Sequence, residues 1–304
     1  MNKIKIALLE DISYSRCFSE YVSHKKNSHM DIQIFSNTDS IREDITDIII
    51  NFLLVGQDMI DNLAECSQIK KIIVLSEGDR VCEYSEYPVI FKYQSVDMII
   101  KEVLYIIAED ESISECSAKF SRKEKEFIGV FSPFGGTGVS EFSWQLLKQN
   151  SRLKRTLYIN LEMFNGIGFE RKKGGEYIRG MSEAVFYIKQ QKGKLGIKLQ
   201  SLIHTYENCD CIYPVEDYRD LYSLSSQDMN EFLNVLAHET DYETIIFNIG
   251  YMSESSLVLM ESCDKIILPK AENSIQEKMQ ESFERFLTRE GLKNTISNID
   301  YITM

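Results

Sequence analysis

Between Gly129 and Ser140 the chain reads Gly-Val-Phe-Ser-Pro-Phe-Gly-Gly-Thr-Gly-Val-Ser, and this stretch constrains the fold more than any other. Phe127, Ile128, Val130 and Phe131 around its start predict a buried parallel strand, and Phe142, Gln145 and Leu146 recur at helical spacing over Glu141–Lys148. Strand, glycine turn and helix in that order belong to an α/β sheet. They are also the context of a phosphate-binding loop, where successive backbone N–H groups and a helix N-terminus converge on one point and favour an anion. Gly135, Gly136 and Gly138 supply backbone freedom around Thr137, and Ser140 sits where a hydroxyl would reach a magnesium ion. The lysine expected before that hydroxyl is Val139 here. The loop keeps its shape and lacks the cation that neutralises the β- and γ-phosphates.

With 304 residues, 43% hydrophobic and 27% charged, the chain has room for two domains of a soluble globular protein. No apolar run approaches the roughly 18 to 20 residues of a membrane span. The start Met1–Glu10 reaches an acid pair too early for a signal peptide, so a cytoplasmic location without direct membrane insertion is expected. Seven cysteines, Cys17, Cys66, Cys82, Cys116, Cys209, Cys211 and Cys263, are odd in number and scattered, which predicts free buried thiols rather than disulfides. Cys209-Asp-Cys211 carries metal-ligand residue types, but the four histidines are dispersed and offer no partner pattern.

The formal net charge of −13 opposes nonspecific binding to nucleic acid or to an anionic membrane, both of which rely on Lys and Arg at phosphates. One segment reverses the sign: Arg171, Lys172, Lys173, Arg179, Lys189, Lys192, Lys194 and Lys198 face only Glu176 and Glu183. It is read either as a solvated loop and helix face or as an anionic docking patch.

The first part of the chain alternates strands and helices: Ile4–Leu9, a helix around Tyr14–Ser23, Ile32–Phe35, Ile48–Val55, Lys71–Ser76, Val89–Lys92 and a helix Val96–Ile107. Five strands with intervening helices predict a doubly wound α/β sheet over residues 1–108. Residues 109–126 are polar, rich in Glu, Ser and Lys and without periodicity, and read as a linker to a second domain, 127–304.

Residues 1–108 resemble a response-regulator receiver, a flavodoxin-like fold. Glu10-Asp11 after the first strand matches the acid pair that holds magnesium in receivers, Lys92 matches their lysine, and Ser76 closes the fourth strand where they carry Ser or Thr. Their phosphoacceptor aspartate ends the third strand. In Asp47-Ile-Ile-Ile-Asn-Phe52 that position falls on Phe52, with Asn51 beside it, so the resemblance implies a receiver fold without phosphorelay chemistry. Glu10 and Asp11 are either a residual magnesium site or exposed loop acids, two carboxylates alone being a weak magnesium site.

From Phe127 onwards the chain resembles the MinD/ParA class of deviant-loop ATPases, whose loop reads Lys-Gly-Gly-x-Gly-Lys-Ser/Thr. The same frame here is Phe134-Gly-Gly-Thr-Gly-Val139-Ser140, so Phe134 takes the place of the signature lysine that reaches across a nucleotide-sandwich dimer. Thr156–Glu162 matches the second strand, with Asn160 and Glu162 where the family has Asp-x-Asp. Tyr242–Asn248 matches the strand that ends in a magnesium-associated aspartate, and Asn248 occupies that end. Further α/β alternation comes from a helix over Gln227–Leu236, the run Cys263–Pro269, a helix over Ser274–Leu287 and a last run Ile299–Ile302.

A receiver-like domain followed by an atypical MinD/ParA-like P-loop domain resembles the TadZ/CpaE family of Flp (tad) pilus assembly. The resemblance implies a localisation or scaffold factor for pilus or secretion-system assembly that marks a site such as a cell pole, acts with pilus and secretion assembly proteins, and forms a homodimer. It implies ATP or ADP with magnesium at Gly135, Gly136, Thr137, Gly138, Val139, Ser140, Glu162 and Asn248. Losing the loop lysine weakens such binding by roughly one to two decades. Hydrolysis suffers more, because phosphoryl transfer depends on electrostatic stabilisation that two lysines and one or two carboxylates no longer supply. A pseudo-ATPase is therefore expected. Two alternatives stay open: a slow ATPase whose nucleotide-dependent dimerisation drives polar localisation, and a ParA-like partitioning protein. A C-terminal amphipathic membrane helix of the MinD kind is not expected after Ile302.

Overall fold

Runs of branched apolar residues build two separate sheets in the computed structural model of the chain, which describes residues 4–24, 30–35, 37, 40–41, 50–62, 69–78, 86–110, 125–135, 138–164, 166, 179–190 and 194–303. The sheets belong to two compact units, Met1–Ala118 and Lys119–Met304.

In the first unit come β1 (Ile4–Leu9), α1 (Ile12–His24), β2 (Met30–Phe35), β3 (Ile50–Gly56), a 3-10 turn (Gln57–Asn62), β4 (Ile69–Ser76), β5 (Val89–Phe91) and α2 (Val96–Glu109). All pairings are parallel and the order is β2-β1-β3-β4-β5, the flavodoxin-like order, whose switch point lies between β1 and β3. Ala7, Leu9, Leu53, Val55 and Val74 form part of the core on one face. Helix α2 buries Ile99, Ile100, Val103, Leu104 and Ile107 at helical spacing, and Ser95 caps it by accepting from the N–H of Met98.

Phe52 does not end the third strand. It is fully buried within β3, opposite Ile6 of β1 and Lys71 of β4, and the strand continues to Gly56. Leu9 pairs with Val55, so the residue beside Glu10 at the strand end is Gly56. The apolar run Phe52–Val55 carries no composition break to mark that end.

The second unit contains β6 (Glu126–Phe131), α3 (Val139–Asn150), β7 (Thr156–Glu162), α4 (Met181–Gln190), α5 (Leu195–Ser201), β8 (Ile203–Tyr206), β9 (Cys209–Ile212), α6 (Tyr218–Ser223), α7 (Ser226–Glu239), β10 (Thr244–Gly250), α8 (Glu254–Ser262), β11 (Lys265–Pro269), α9 (Ser274–Arg289), α10 (Lys293–Ser297) and β12 (Ile299–Ile302). The sheet runs β12-β11-β6-β10-β7-β9-β8, parallel except for the β8–β9 hairpin. Glu207 and Asn208 turn that hairpin with positive φ of 47° and 63°, as a two-residue turn of type I′ requires. Strands β6, β10 and β7 are buried through their centres, which explains their near-continuous Ile, Leu, Val and Phe.

Two expectations change. Cys209, Cys211 and Cys263 are buried free thiols, but Cys17 is exposed on α1. Lys198 is not on a solvated face: it is 3% exposed on α5, with its Nζ 4.5 Å from the ring centre of Tyr187. Residues 171–178 and 191–193 of the basic segment lie outside the described residues. Among the described residues no helix is long and apolar enough to cross a membrane.

Candidate functional site

The end of β6 hands the chain to the glycine turn. Gly135 and Gly138 have φ of +61° and +72°, the left-handed region that a Cβ disfavours. Gly138 opens α3: its carbonyl accepts from the N–H of Phe142 at 2.9 Å, and no side chain caps the helix. Gly136 and Thr137 lie outside the described residues. Val139, half-buried, packs against the cluster of Trp144, Leu147 and Tyr158 and also borders the cavity below. The N–H of Phe134 donates to Ser132 Oγ at 3.3 Å.

On the neighbouring strands, register places the other candidate residues. Asn248 of β10 lies opposite Val130 of β6 and Asn160 of β7, and Gly250 lies opposite Glu162. Asn248 is therefore not the end of its strand, which runs on to Gly250. A Cβ at Gly250 would fall 2.6 Å from the Cα of Glu162, so only glycine fits beside that carboxylate. The Glu162 N–H donates to Asn160 Oδ1 at 2.9 Å, and Asn160 Nδ2 donates to Glu162 Oε2 at 3.3 Å. The Ser140 hydroxyl donates to Glu162 Oε1. Beneath them Asn248 is fully buried, and neither its amide oxygen nor its nitrogen makes a hydrogen bond of ordinary geometry among the described residues. Its side chain lies instead within reach of the Tyr158 hydroxyl. Tyr158, whose hydroxyl is 3.0 Å from Ser143 Oγ, has its phenol pushed up by burial.

A cavity of about 440 Å³ gathers Gly135, Gly138, Val139, Ser140, Glu162 and Asn248. Phe164, Tyr222, Tyr251 and Met252 line it too, and sequence reading missed them. Their only signal was the i, i+4 spacing of Tyr218 and Tyr222. The left-handed turn, the uncapped helix start and Ser140 fit a phosphate with its magnesium in shape. The charge does not fit: Glu162 is the one ionisable carboxylate of the described lining, and no Lys, Arg or His lines it. Two like charges at 4 Å repel by about 1 kcal/mol in water and about 4 kcal/mol near a protein surface.

The acids of the first unit meet at its own strand ends. Lys92 follows β5, is 7% exposed, and places its Nζ 2.7 Å from Glu10, 2.6 Å from Glu77 and 4.0 Å from Asp11. The rings of Tyr14 and Tyr93 approach it at 5.1 and 5.7 Å. Burial opposes the ammonium, but the two carboxylates outweigh it and hold Lys92 above its usual range. Glu77 is drawn down chiefly by its bond to Lys92. Asp11 caps α1, accepting from the N–H groups of Tyr14 and Ser13 at 3.0 and 2.9 Å, and the Tyr14 bond is the main reason its carboxyl lies low. Glu10 is buried rather than an exposed loop acid. Its carboxylate occupies the space above Gly56, where a Cβ would lie 2.4 Å from Oε1. Among the described residues no group of three or more His, Cys, Asp or Glu is placed to hold a metal ion.

No protein-family model and no curated protein matches the chain. Solved structures similar to it include a ParA family ATPase from Chlorobium tepidum TLS, with 15% identity over 59% of this chain and 73% of that one and a TM-score of 0.47. A plasmid partition protein from Borrelia burgdorferi has 16% identity, covers 60% and 78%, and gives a TM-score of 0.45. The septum site-determining protein MinD from Pyrococcus horikoshii OT3, complexed with Mg-ADP, has 15% identity, covers 59% and 70%, and gives a TM-score of 0.43.

Proposed function

We propose that this chain is a localisation or scaffold factor for pilus or secretion-system assembly, in which a receiver-like domain (1–108) and a polar linker (109–126) precede a MinD/ParA-like domain (127–304) that has given up ATP hydrolysis. One observation carries the pseudoenzyme reading: the cavity under the glycine turn is lined by Glu162 and by no cationic side chain among the described residues. Phosphoryl transfer needs positive charge where negative charge develops, and among the described lining residues the one charged side chain has the wrong sign. The order of the two domains favours the pilus reading, in which the chain works as a homodimer recruited to a cell pole by assembly partners.

Calorimetry with Mg-ATP tests the reading. The expected outcome is binding one to two decades weaker than a lysine-bearing loop gives, without turnover. Micromolar binding with measurable turnover overturns it. The meeting of Ser140 and Glu162 favours a second reading, a slow ATPase that dimerises on nucleotide; sedimentation with and without Mg-ATP separates it from a constitutive scaffold.

A further inference from the structure

One wall of the cavity is aromatic. Ring centroids follow one another from Phe164 to Tyr218 at 6.2 Å, to Tyr222 at 6.3 Å and to Tyr251 at 5.7 Å. Tyr251 is buried at the cavity, whereas Phe164, Tyr218 and Tyr222 are 76%, 44% and 48% exposed. Large rings left in water in an unbroken series at a cavity mouth mark a binding surface, because they offer area at low conformational cost.

Charge decides what kind of partner fits. The cavity that Phe164, Tyr222 and Tyr251 line is also lined by the Glu162 carboxylate. At the outer end of the series, the loop and helix α6 carry Glu216, Asp217 and Asp220, and the intervening cation, Arg219, is folded onto Asp217, its Nε 2.9 and 2.8 Å from the two carboxylate oxygens. Ser182 ties α4 to this rim through Asp220 at 2.6 Å. Glu183 beside it has its carboxyl pushed up first by burial and then by Glu216 and Asp220, so these acids lie in one another's field. Asn248, fully buried, borders the same cavity.

We propose that the track from Tyr218 to Glu162 takes an arginine-bearing segment of a partner protein, its guanidinium groups stacking on the exposed rings and one of them pairing with Glu162 in the cavity. Arginine suits the track better than lysine, because its planar cation stacks on aromatic faces and pairs with a carboxylate through two parallel bonds. The inference rests on the reading that the cavity no longer serves the charge of a nucleotide.

The test is fluorescence anisotropy of the full chain with labelled peptides of alternating glycine and arginine, glycine and lysine, or glycine and glutamate. The arginine peptide should bind best and the glutamate peptide not at all. Glu162→Gln, and Tyr218→Ala with Tyr222→Ala, should each weaken the arginine peptide about tenfold. Glu281→Gln, on the exposed face of α9, changes net charge equally and should leave binding within about twofold. Tyr222→Phe should retain it, which separates loss of a stacking ring from loss of fold. Equal binding of arginine and lysine peptides, or equal loss in Glu281→Gln and Glu162→Gln, overturns the proposal by reducing it to bulk charge. Mg-ATP in the same assay keeps the two readings apart. Tight Mg-ATP binding with turnover, alongside arginine-peptide binding that Mg-ATP displaces, sinks the pseudo-ATPase reading and leaves the track standing; absence of both ligands sinks the track alone.

Discussion

The hydroxyl of Ser140, in the first turn of α3, donates to the carboxylate of Glu162 at the end of β7. A helix N-terminus favours an anion, and here the anion beside it is part of the chain. An incoming phosphate therefore competes with Glu162 for the Ser140 hydroxyl as well as facing its charge.

Val139→Lys should restore the missing cation and raise Mg-ATP affinity about tenfold to a hundredfold. Glu162→Gln in the same chain should add about another tenfold by removing the internal competitor. Trp144 is the single tryptophan and lies on the same helix, 5.5 Å from the ring of Tyr158, so its fluorescence reports the titration. Affinity unchanged in the double variant would show that the turn does not open to phosphate.

Two glycines that look alike in sequence should respond differently to alanine. At Gly250 the added Cβ meets the Glu162 backbone at 2.6 Å, which cannot swing away, so Gly250→Ala should cost about 3 kcal/mol or more. At Gly56 the Cβ meets the end of the Glu10 side chain at 2.4 Å, which can move at the expense of its contact with Lys92. Gly56→Ala should cost about 1–2 kcal/mol. Denaturant midpoints of the two variants give the comparison, and equal losses would contradict it.

These contrasts mark what the sequence carried and what it did not. The strand, glycine turn and helix around Gly135 were legible because apolar runs change period from buried strand to helix across a glycine cluster. Register was not: the receiver frame puts the strand end at Phe52, residues 52–55 are uniformly apolar and do not mark it, and only pairing with β1 shows that Gly56 sits beside Glu10. The hairpin of β8 and β9 escaped because its strands are four residues each and its apolar positions include Cys209 and Cys211. Lys198 read as surface because charge is the only property its letter announces, yet its stem is buried against α4 and its ammonium meets Tyr187. Long-range partners such as Tyr222 for Tyr251 leave no local trace.

Glu10 and Lys92 form a buried pair, 4% and 7% exposed and 2.7 Å apart, and Glu77 closes the other side of the ammonium at 2.6 Å. Glu10→Ala should destabilise the chain by about 3 kcal/mol, because it leaves Lys92 half-paired under cover. Lys92→Met should cost as much by stranding Glu10. The double variant Glu10→Ala with Lys92→Met should recover most of either loss, since removing both charges also removes both desolvation penalties. Additive losses in urea melts would instead mean that each side chain acts through separate contacts.

The start of α7 supplies a pH-dependent prediction. Asp228 Oδ2 accepts from the N–H of Ser225 at 2.9 Å, and the Asp228 N–H donates to Ser225 Oγ at 3.1 Å, a reciprocal capping box. Burial opposes ionisation of Asp228, but the bonds from Ser225 and the Lys189 ammonium at 3.6 Å outweigh it and hold its carboxyl below the usual range. A carboxyl depressed in the folded state binds fewer protons there than in the unfolded chain, so its stabilisation is complete above the unfolded value of about 3.9 and is lost as pH falls through the folded one. Asp228→Asn should therefore cost about 1 kcal/mol at neutral pH, and its gap from the natural chain should close as pH drops below about 4. Ser225→Ala should cost a similar amount and weaken the same acid dependence, since it removes one of the bonds that favour the anion. Midpoints of urea unfolding at neutral and acid pH measure both effects. A gap that widens in acid would reverse the sign and show that burial of Asp228 outweighs its bonds.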